Sequence, residues 1–133
     1  MTTQQSAVSE PGIAQRAYAI GVRLMGLAVL VQFLLAGLGI FVDNQFLSTW
    51  HAIGGSATVA ALSLVCVVIG LLARLPGRTV WLTASVFGLV IVQSLLLAPW
   101  HMGAAGPVRV VSALHVLNAV LIAWVSLRLI QKS

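Results

Sequence analysis

The chain has 133 residues, of which 60% are hydrophobic and only 7% are charged, and its formal net charge is +5. Soluble globular domains carry about 25% charged residues, so this composition excludes a soluble protein with an ordinary polar surface. The pI of about 11.3 does not indicate nucleic-acid binding, because the basic residues are spread along the chain and form no patch. We therefore expect an integral membrane protein whose main partner is the lipid bilayer.

Four long apolar segments are separated by short polar breaks. Each segment is long enough to cross a hydrocarbon core of about 30 Å as a helix, and helices satisfy their own backbone hydrogen bonds in lipid. The sequence therefore predicts an all-α, antiparallel four-helix bundle that spans the membrane. The predicted parts are a cytoplasmic tail at 1–16 and a transmembrane domain at 17–133, with helices at about 17–42, 49–73, 79–98 and 107–130.

The orientation of the bundle follows from Lys and Arg, which are enriched in cytoplasmic loops. With the N-terminus inside, six of the seven basic residues lie on the cytoplasmic side, and Arg109 alone lies outside. We therefore expect a multi-pass protein of the cytoplasmic membrane with both termini in the cytoplasm. The six residues on the inner side are Arg16, Arg23, Arg74, Arg78, Arg128 and Lys132.

A weak internal repeat relates the two halves of the chain. The segment Val31–Leu35 resembles Val92–Leu96 at an offset of 61 residues, and His51 precedes His115 by 64 residues. Each half thus consists, in chain order, of a predicted helix that contains a glutamine, an outer loop, and a predicted helix that contains a histidine. Duplication of one hairpin would relate the halves by a pseudo-twofold axis along the membrane normal. Chance matches are common among apolar residues, so the sequence leaves this question open.

His51 and His115 are the strongest candidates for chemistry, because polar groups at membrane depth are costly and are functional candidates by default. Both helices enter from the outer face, and helical rise places the two histidines at similar depths in one leaflet. Facing helices of a bundle can hold a cofactor between such side chains. Zinc would need three or four close ligands, and no third intramembrane ligand lies nearby. We therefore expect both histidines to ligate the iron of one haem.

Small residues flank both histidines on their own helix faces and leave room for a flat macrocycle. These flanking residues, which we expect to contact the cofactor, are Gly54, Gly55 and Thr58 near His51, and Asn118 and Ala119 near His115. A structural interpretation stays open, in which the histidines are interfacial residues and the glycines permit close helix packing.

Three further polar side chains have two interpretations each. Gln32 and Gln93 either form hydrogen bonds between helices or line a cofactor or quinone pocket. Arg109 is either a solvated residue at a loop end or the partner of a haem propionate, since guanidinium matches carboxylate geometry. His101 is expected to face solvent in the second outer loop, and Cys66 to act as a small core residue.

These residues carry a resemblance to a known family. Gln32–Gly37, Trp50–Gly55, Gln93 and Leu114–Ala119 together resemble one four-helix half of the haem A synthase family. They also resemble small uncharacterised bacterial membrane proteins with the same glutamine and histidine layout. Each half of the synthase is a four-helix bundle with histidine ligands on its second and fourth helices.

The resemblance covers roughly Arg23 to Arg128 and implies a b-type haem held by His51 and His115. This chain departs from the family in having one bundle instead of two. It also has no acidic residue at an outer helix start and no cysteine pair in the outer loops. The resemblance therefore does not extend to the oxygenation chemistry of haem A synthesis.

The resulting hypothesis is a small membrane cytochrome that binds one haem b and transfers electrons, as a subunit or partner of a larger redox assembly. One alternative is a cofactor-free accessory subunit, and another is a haem-handling or quinone-reactive membrane enzyme. Catalysis is the less favoured interpretation, because the sequence shows neither an open iron site nor a catalytic acid. The sequence leaves open the electron donor, the acceptor and the formation of a homo-oligomer.

Overall fold

A computed structural model describes residues 11–42, 45 and 49–133, apart from the side chains of Ile40, Trp100 and Arg109. Most of the predicted N-terminal tail and the loop residues Asp43 and Asn44 lie outside the described residues.

In the part of the chain that the structure describes, four helices make up the fold, and each is long and apolar enough to cross a bilayer. The predicted all-α four-helix bundle is confirmed, and the chain is a multi-pass membrane protein. Two of the helices have interruptions of regular α geometry. The helices are α1 (Ile13–Phe41), α2 (a π-helix at Trp50–Gly55 followed by an α-helix at Ser56–Leu72), α3 (Gly77–His101), and α4 (an α-helix at Pro107–Val110, a 3-10 turn at Val111–Ala113 and an α-helix at Leu114–Ile130).

Two helix ends differ from the prediction by more than two residues. Helix α1 begins at Ile13, four residues before the predicted start, and the Gly12 backbone N–H donates to Gln15 Oε1 at 3.0 Å in its first turn. Helix α3 continues through Pro99 to His101. Proline removes one backbone donor, but the Met102 N–H still donates to the Ala98 carbonyl at 2.9 Å. The last turn of α3 therefore closes beyond the proline.

The helices form a closed ring. Each helix packs against the next one along the chain, and α4 packs back against α1, so α2 lies diagonally opposite α4 and α1 lies diagonally opposite α3. The chain direction alternates from helix to helix. The start of α1, the α2–α3 turn and the end of α4 therefore lie at one end of the bundle, which we call the terminal end. The opposite end, where α1 connects to α2 and α3 to α4, is the loop end.

The hydrophobic core fills the terminal half of the bundle. Val22, Met25, Val86 and Leu129 have almost no exposed surface, and the Cys66 side chain packs among the core residues. Cys66 of α2 is therefore a residue of the bundle core, as predicted. The close packing of these side chains stabilises the terminal half and holds the four helices in fixed register below the loop end.

Candidate functional site

A cavity of about 270 Å³ lies between the helices in the half of the bundle nearer the loop end. Val29, Val59, Val90 and Ile122 line the cavity and also belong to the buried core. They therefore form the floor where close packing gives way to open space. Mostly apolar cavities between bundle helices, with a few placed polar groups, are typical small-molecule or cofactor sites.

One histidine or glutamine side chain from each helix lines this cavity, and we call these four residues the polar layer. They are Gln32 of α1, His51 of α2, Gln93 of α3 and His115 of α4. Because of the ring arrangement, the two histidines lie on one diagonal of the bundle and the two glutamines lie on the other. The structure thus brings together all four residues that the sequence analysis singled out at membrane depth.

The hydrogen bonds of the two histidines fix which ring nitrogen stays unbonded. His51 Nδ1 lies 3.1 Å from the Gln32 carbonyl oxygen, and His115 Nδ1 lies 2.6 Å from the Ser112 carbonyl oxygen. A carbonyl oxygen can only accept, so each Nδ1 must carry the proton and donate it. In a neutral imidazole the Nε2 atom then keeps its lone pair. Both rings are thus in the tautomer that a metal-ligating Nε2 requires.

The helix backbone departs from α geometry at both histidines. His51 is the second residue of the π-helix Trp50–Gly55, and His115 follows the 3-10 turn Val111–Ala113 by two positions. Single π turns occur frequently at functional sites. The 3-10 turn positions the Ser112 carbonyl for the His115 ring. The Ser112 hydroxyl is buried and has no hydrogen-bond partner in the part of the chain that the structure describes.

The π-helix also changes which residues of α2 face the cavity. An α-helical count from His51 predicts Gly54, Gly55 and Thr58, but of these three only Gly55 lines the cavity. Thr58 is exposed, and its hydroxyl donates to the Gly54 carbonyl oxygen at 2.6 Å. The wider π turn rotates the following residues by about one position. The cavity is therefore lined by Ala52, Ser56 and Val59, which the sequence analysis did not select.

Gly54 and Gly55 have different neighbours. A Cβ atom added at Gly54 would meet the ring of Trp50, so this glycine lies under the indole and not under the histidine. A Cβ atom added at Gly55 would overlap the side-chain amide of Gln32. Gly55 is therefore the residue that lets α1 and α2 approach at the level of the polar layer.

Asn118 holds Gln93 in place instead of lining the cavity itself. Its Nδ2 group donates to the Leu89 carbonyl oxygen at 2.8 Å and to Gln93 Oε1 at 2.7 Å. Asn118 is buried, and these bonds connect α4 with α3. Gln93 thus combines both roles considered from the sequence, since it accepts an interhelical bond and also lines the cavity. Gln32 contributes its backbone carbonyl to the interhelical bond with His51 and its side chain to the cavity wall.

Cavity-lining residues recur at the two offsets of the internal repeat. An offset of 61 residues relates those on α1 to those on α3, and an offset of 64 relates those on α2 to those on α4. This regularity supports a pseudo-twofold relation between the two hairpins. The pairs are Val29 and Val90, Gln32 and Gln93, Ala36 and Leu97, His51 and His115, Ala52 and Val116, and Gly55 and Ala119.

Two apolar residues of the cavity wall, one on α1 and one on α4, also lie on the lipid-facing surface. Phe33 and Val116 both line the cavity, yet their side chains are 41% and 54% exposed. Neither was predicted from the sequence, because apolar residues of a membrane helix can face either a cavity or the lipid. At these two positions the cavity wall is therefore also part of the lipid-facing surface.

The remaining candidates lie apart from the polar layer. His101 is exposed at the loop end of α3, and the side chain of Arg109 lies outside the described residues. Within the described ranges, no group of three or more His, Cys, Asp or Glu residues is placed to hold a metal ion. The available donor set is therefore the pair of imidazoles.

Comparison with known proteins identifies a family but no relative of known activity. No curated protein and no solved structure matches this chain. A match to one protein family covers residues 32–99, just over half of the chain. The matched region includes Gln32, His51 and Gln93 and ends before His115. The resemblance to haem A synthase stays a prediction, since this match does not test it. By this match, the chain belongs to the family of unknown function DUF6220.

Proposed function

We propose that this protein is a small membrane cytochrome that holds one haem b between His51 and His115 and transfers electrons. One observation carries the proposal: the two histidines line one cavity from diagonally opposite helices, and both use Nδ1 to donate to a backbone carbonyl. Ligating histidines almost always donate their other ring N–H in this way. Each ring therefore has an oriented Nε2 atom free to bind a metal.

The other cavity residues fit a flat, largely apolar ligand. The wall between the histidines is built from aliphatic side chains and from the small residues Gly55 and Ala119. Bound haem would supply a one-electron carrier whose potential depends on its axial ligands, hydrogen bonds and burial. His51 and His115 would both hold the haem iron, so the iron would serve as an electron carrier and not as a place for a substrate. This favours electron transfer over catalysis.

The proposed setting is the cytoplasmic membrane with both chain termini inside. Its support is the charge distribution, since six of the seven basic residues lie in the terminal half of the bundle and Lys and Arg are enriched on the cytoplasmic side. Arg128 at this end also stacks on the Trp124 ring, with Cζ 5.3 Å from the ring centroid. The electron donor and acceptor would be other redox subunits or a quinone that reaches the cavity from the lipid.

A cofactor-free accessory subunit is the second candidate. The hydrogen bonds from Asn118 to Leu89 and Gln93 favour it, because such bonds hold helices together without any ligand. The bond between Tyr18 and Thr83 in the core has the same effect at the terminal end. This candidate predicts a colourless protein.

An absorption spectrum of the protein purified from cells with ample haem tests the proposal. Reduced protein should show the sharp α-band of a low-spin, bis-histidine b-type haem. His51→Ala and His115→Ala should each abolish this band or convert the haem to high spin. His101→Ala, the matched control at the surface, should leave the spectrum intact. Colourless wild-type protein, or a spectrum that survives both substitutions in the polar layer, would refute haem ligation by these residues.

A further inference from the structure

The Gln93 amide has a fixed orientation. The Leu89 carbonyl oxygen can only accept, so the Asn118 atom that contacts it must be Nδ2, the donor end of the amide. The same Nδ2 group contacts Gln93, and so the Gln93 atom facing it must be the acceptor Oε1. A chain of two hydrogen bonds thus runs from the backbone of α3 through Asn118 to Gln93.

This orientation leaves the Nε2 group of Gln93 without a hydrogen-bond acceptor among the described residues, although Gln93 lines the cavity. An amide donor in an apolar environment without a partner is unfavourable by a few kcal/mol. Since no described group accepts from it, the protein presents an oriented N–H donor to the cavity. An acceptor on the ligand of the cavity would satisfy it.

The pseudo-symmetric glutamine lacks this orientation. The position related to Asn118 by the offset of 64 residues is Gly54, which has no side chain to hold Gln32. No hydrogen bond of the Gln32 side chain is present within the described ranges, and its amide lies against Gly55. The two glutamines occupy opposite corners of the bundle, so only the α3 side of the polar layer has a fixed donor.

We propose that Gln93, oriented by Asn118, donates a hydrogen bond to a propionate carboxylate of the haem and so selects its rotation about the axis between the histidines. The inference rests on the proposed function. A flat ring held between His51 of α2 and His115 of α4 would have its edges toward α1 and α3, where the glutamines lie. Propionates are the hydrogen-bond acceptors at the edge of haem b, whose other substituents are methyl and vinyl groups. The fixed donor therefore assigns a propionate to the α3 side.

Titration of the haem-free chain with haemin and with haemin dimethyl ester tests the inference through the Soret band. Gln93→Leu should weaken haemin binding by at least about tenfold, as expected for loss of a hydrogen bond to a charged group. With the ester, whose oxygens are uncharged, the loss should fall to about threefold. Gln32→Leu is the matched variant and should cost at most about threefold for either ligand.

Asn118→Leu supplies an independent variant, because it frees Gln93 to rotate without removing the amide. It should lower haemin affinity about as much as Gln93→Leu, and the double variant should lose no more than either single one. The propionate bending mode in the resonance Raman spectrum should shift in both. Equal losses for Gln93→Leu and Gln32→Leu in a protein that binds haem would overturn this inference alone. Wild-type protein that binds no haem would overturn the proposed function as well.

Discussion

Under the proposed function, Gly55→Ala should lower the affinity for haem while leaving the free energy of unfolding nearly unchanged. Gly55 is buried and has φ −73° and ψ −47°, a right-handed helical conformation that any L-residue adopts. Alanine would therefore meet no backbone strain, and within a helix it is favoured over glycine by about 1 kcal/mol. The new Cβ atom would, however, overlap the Gln32 side-chain amide. The outcome of Gly55→Ala depends on where that amide moves.

The Gln32 amide is the end of a flexible side chain, so it can rotate away at a cost of about 0.5–1.5 kcal/mol for a strained rotamer. This cost nearly cancels the gain in helix propensity, and the free energy of unfolding should change by less than about 1 kcal/mol. The displaced amide has the packed floor of the cavity on one side and open space on the other. It should therefore enter the cavity, where overpacking costs about 1–3 kcal/mol. Haem affinity should fall about tenfold or more.

The assay compares Soret titrations and unfolding free energies in detergent for three variants. Gly88→Ala on α3 is the matched control, since its added Cβ would meet nothing within 4 Å. It should raise stability by about 1 kcal/mol and leave haem binding unchanged. The double variant Gly55→Ala with Gln32→Ala removes the overlap and should recover most of the affinity. Full haem binding by Gly55→Ala, or no recovery in the double variant, would refute the assigned contact.

Two further predictions concern stability and topology. The Thr83 hydroxyl donates to the Thr79 carbonyl oxygen, so Tyr18 must donate to Thr83 Oγ1 at 2.7 Å. Tyr18→Phe should therefore lower the unfolding free energy by about 0.5–1.5 kcal/mol without altering the haem spectrum. Unchanged stability would show that the bond contributes nothing. The proposed orientation has both termini in the cytoplasm, so cysteines introduced at 45 and 104 in a Cys66→Ala background should react with an impermeant thiol reagent in intact cells, and a cysteine at 77 should not. Labelling at 77 alone would reverse the orientation.

The sequence predicts the fold well because lipid leaves few alternatives. A backbone in hydrocarbon must bond to itself, so the four apolar segments had to be helices, and the short connections had to make neighbours antiparallel. The helix ends were less certain, since they depend on single hydrogen bonds. The Gly12 contact with Gln15 extends α1 toward the N-terminus, and the Met102 bond carries α3 past Pro99.

The polar layer was predictable because its four members are rare residue types in apolar segments, where each must have a partner or a role. Their neighbours were not, and α2 shows why. The α-helical count selected Gly54 and Thr58, whereas the π-helix turns Ser56 and Val59 toward the cavity. No residue pattern in this sequence predicts the π turn. The orientation of Gln93 was also hidden, because it depends on which carbonyl Asn118 reaches across the helix interface.

The pattern of hydrogen bonds in the polar layer suggests what a ligand would do for the fold. His51 bonds to Gln32 within the first hairpin, and Asn118 bonds to Gln93 within the second, so at this level each hairpin is held to itself. At the terminal end, by contrast, the bond between Tyr18 and Thr83 joins α1 to α3 and thus connects the two hairpins. A ligand coordinated by both histidines would supply the missing connection across the cavity. Because it would bind the assembled bundle and not the separated hairpins, its binding free energy would add to the stability of the fold.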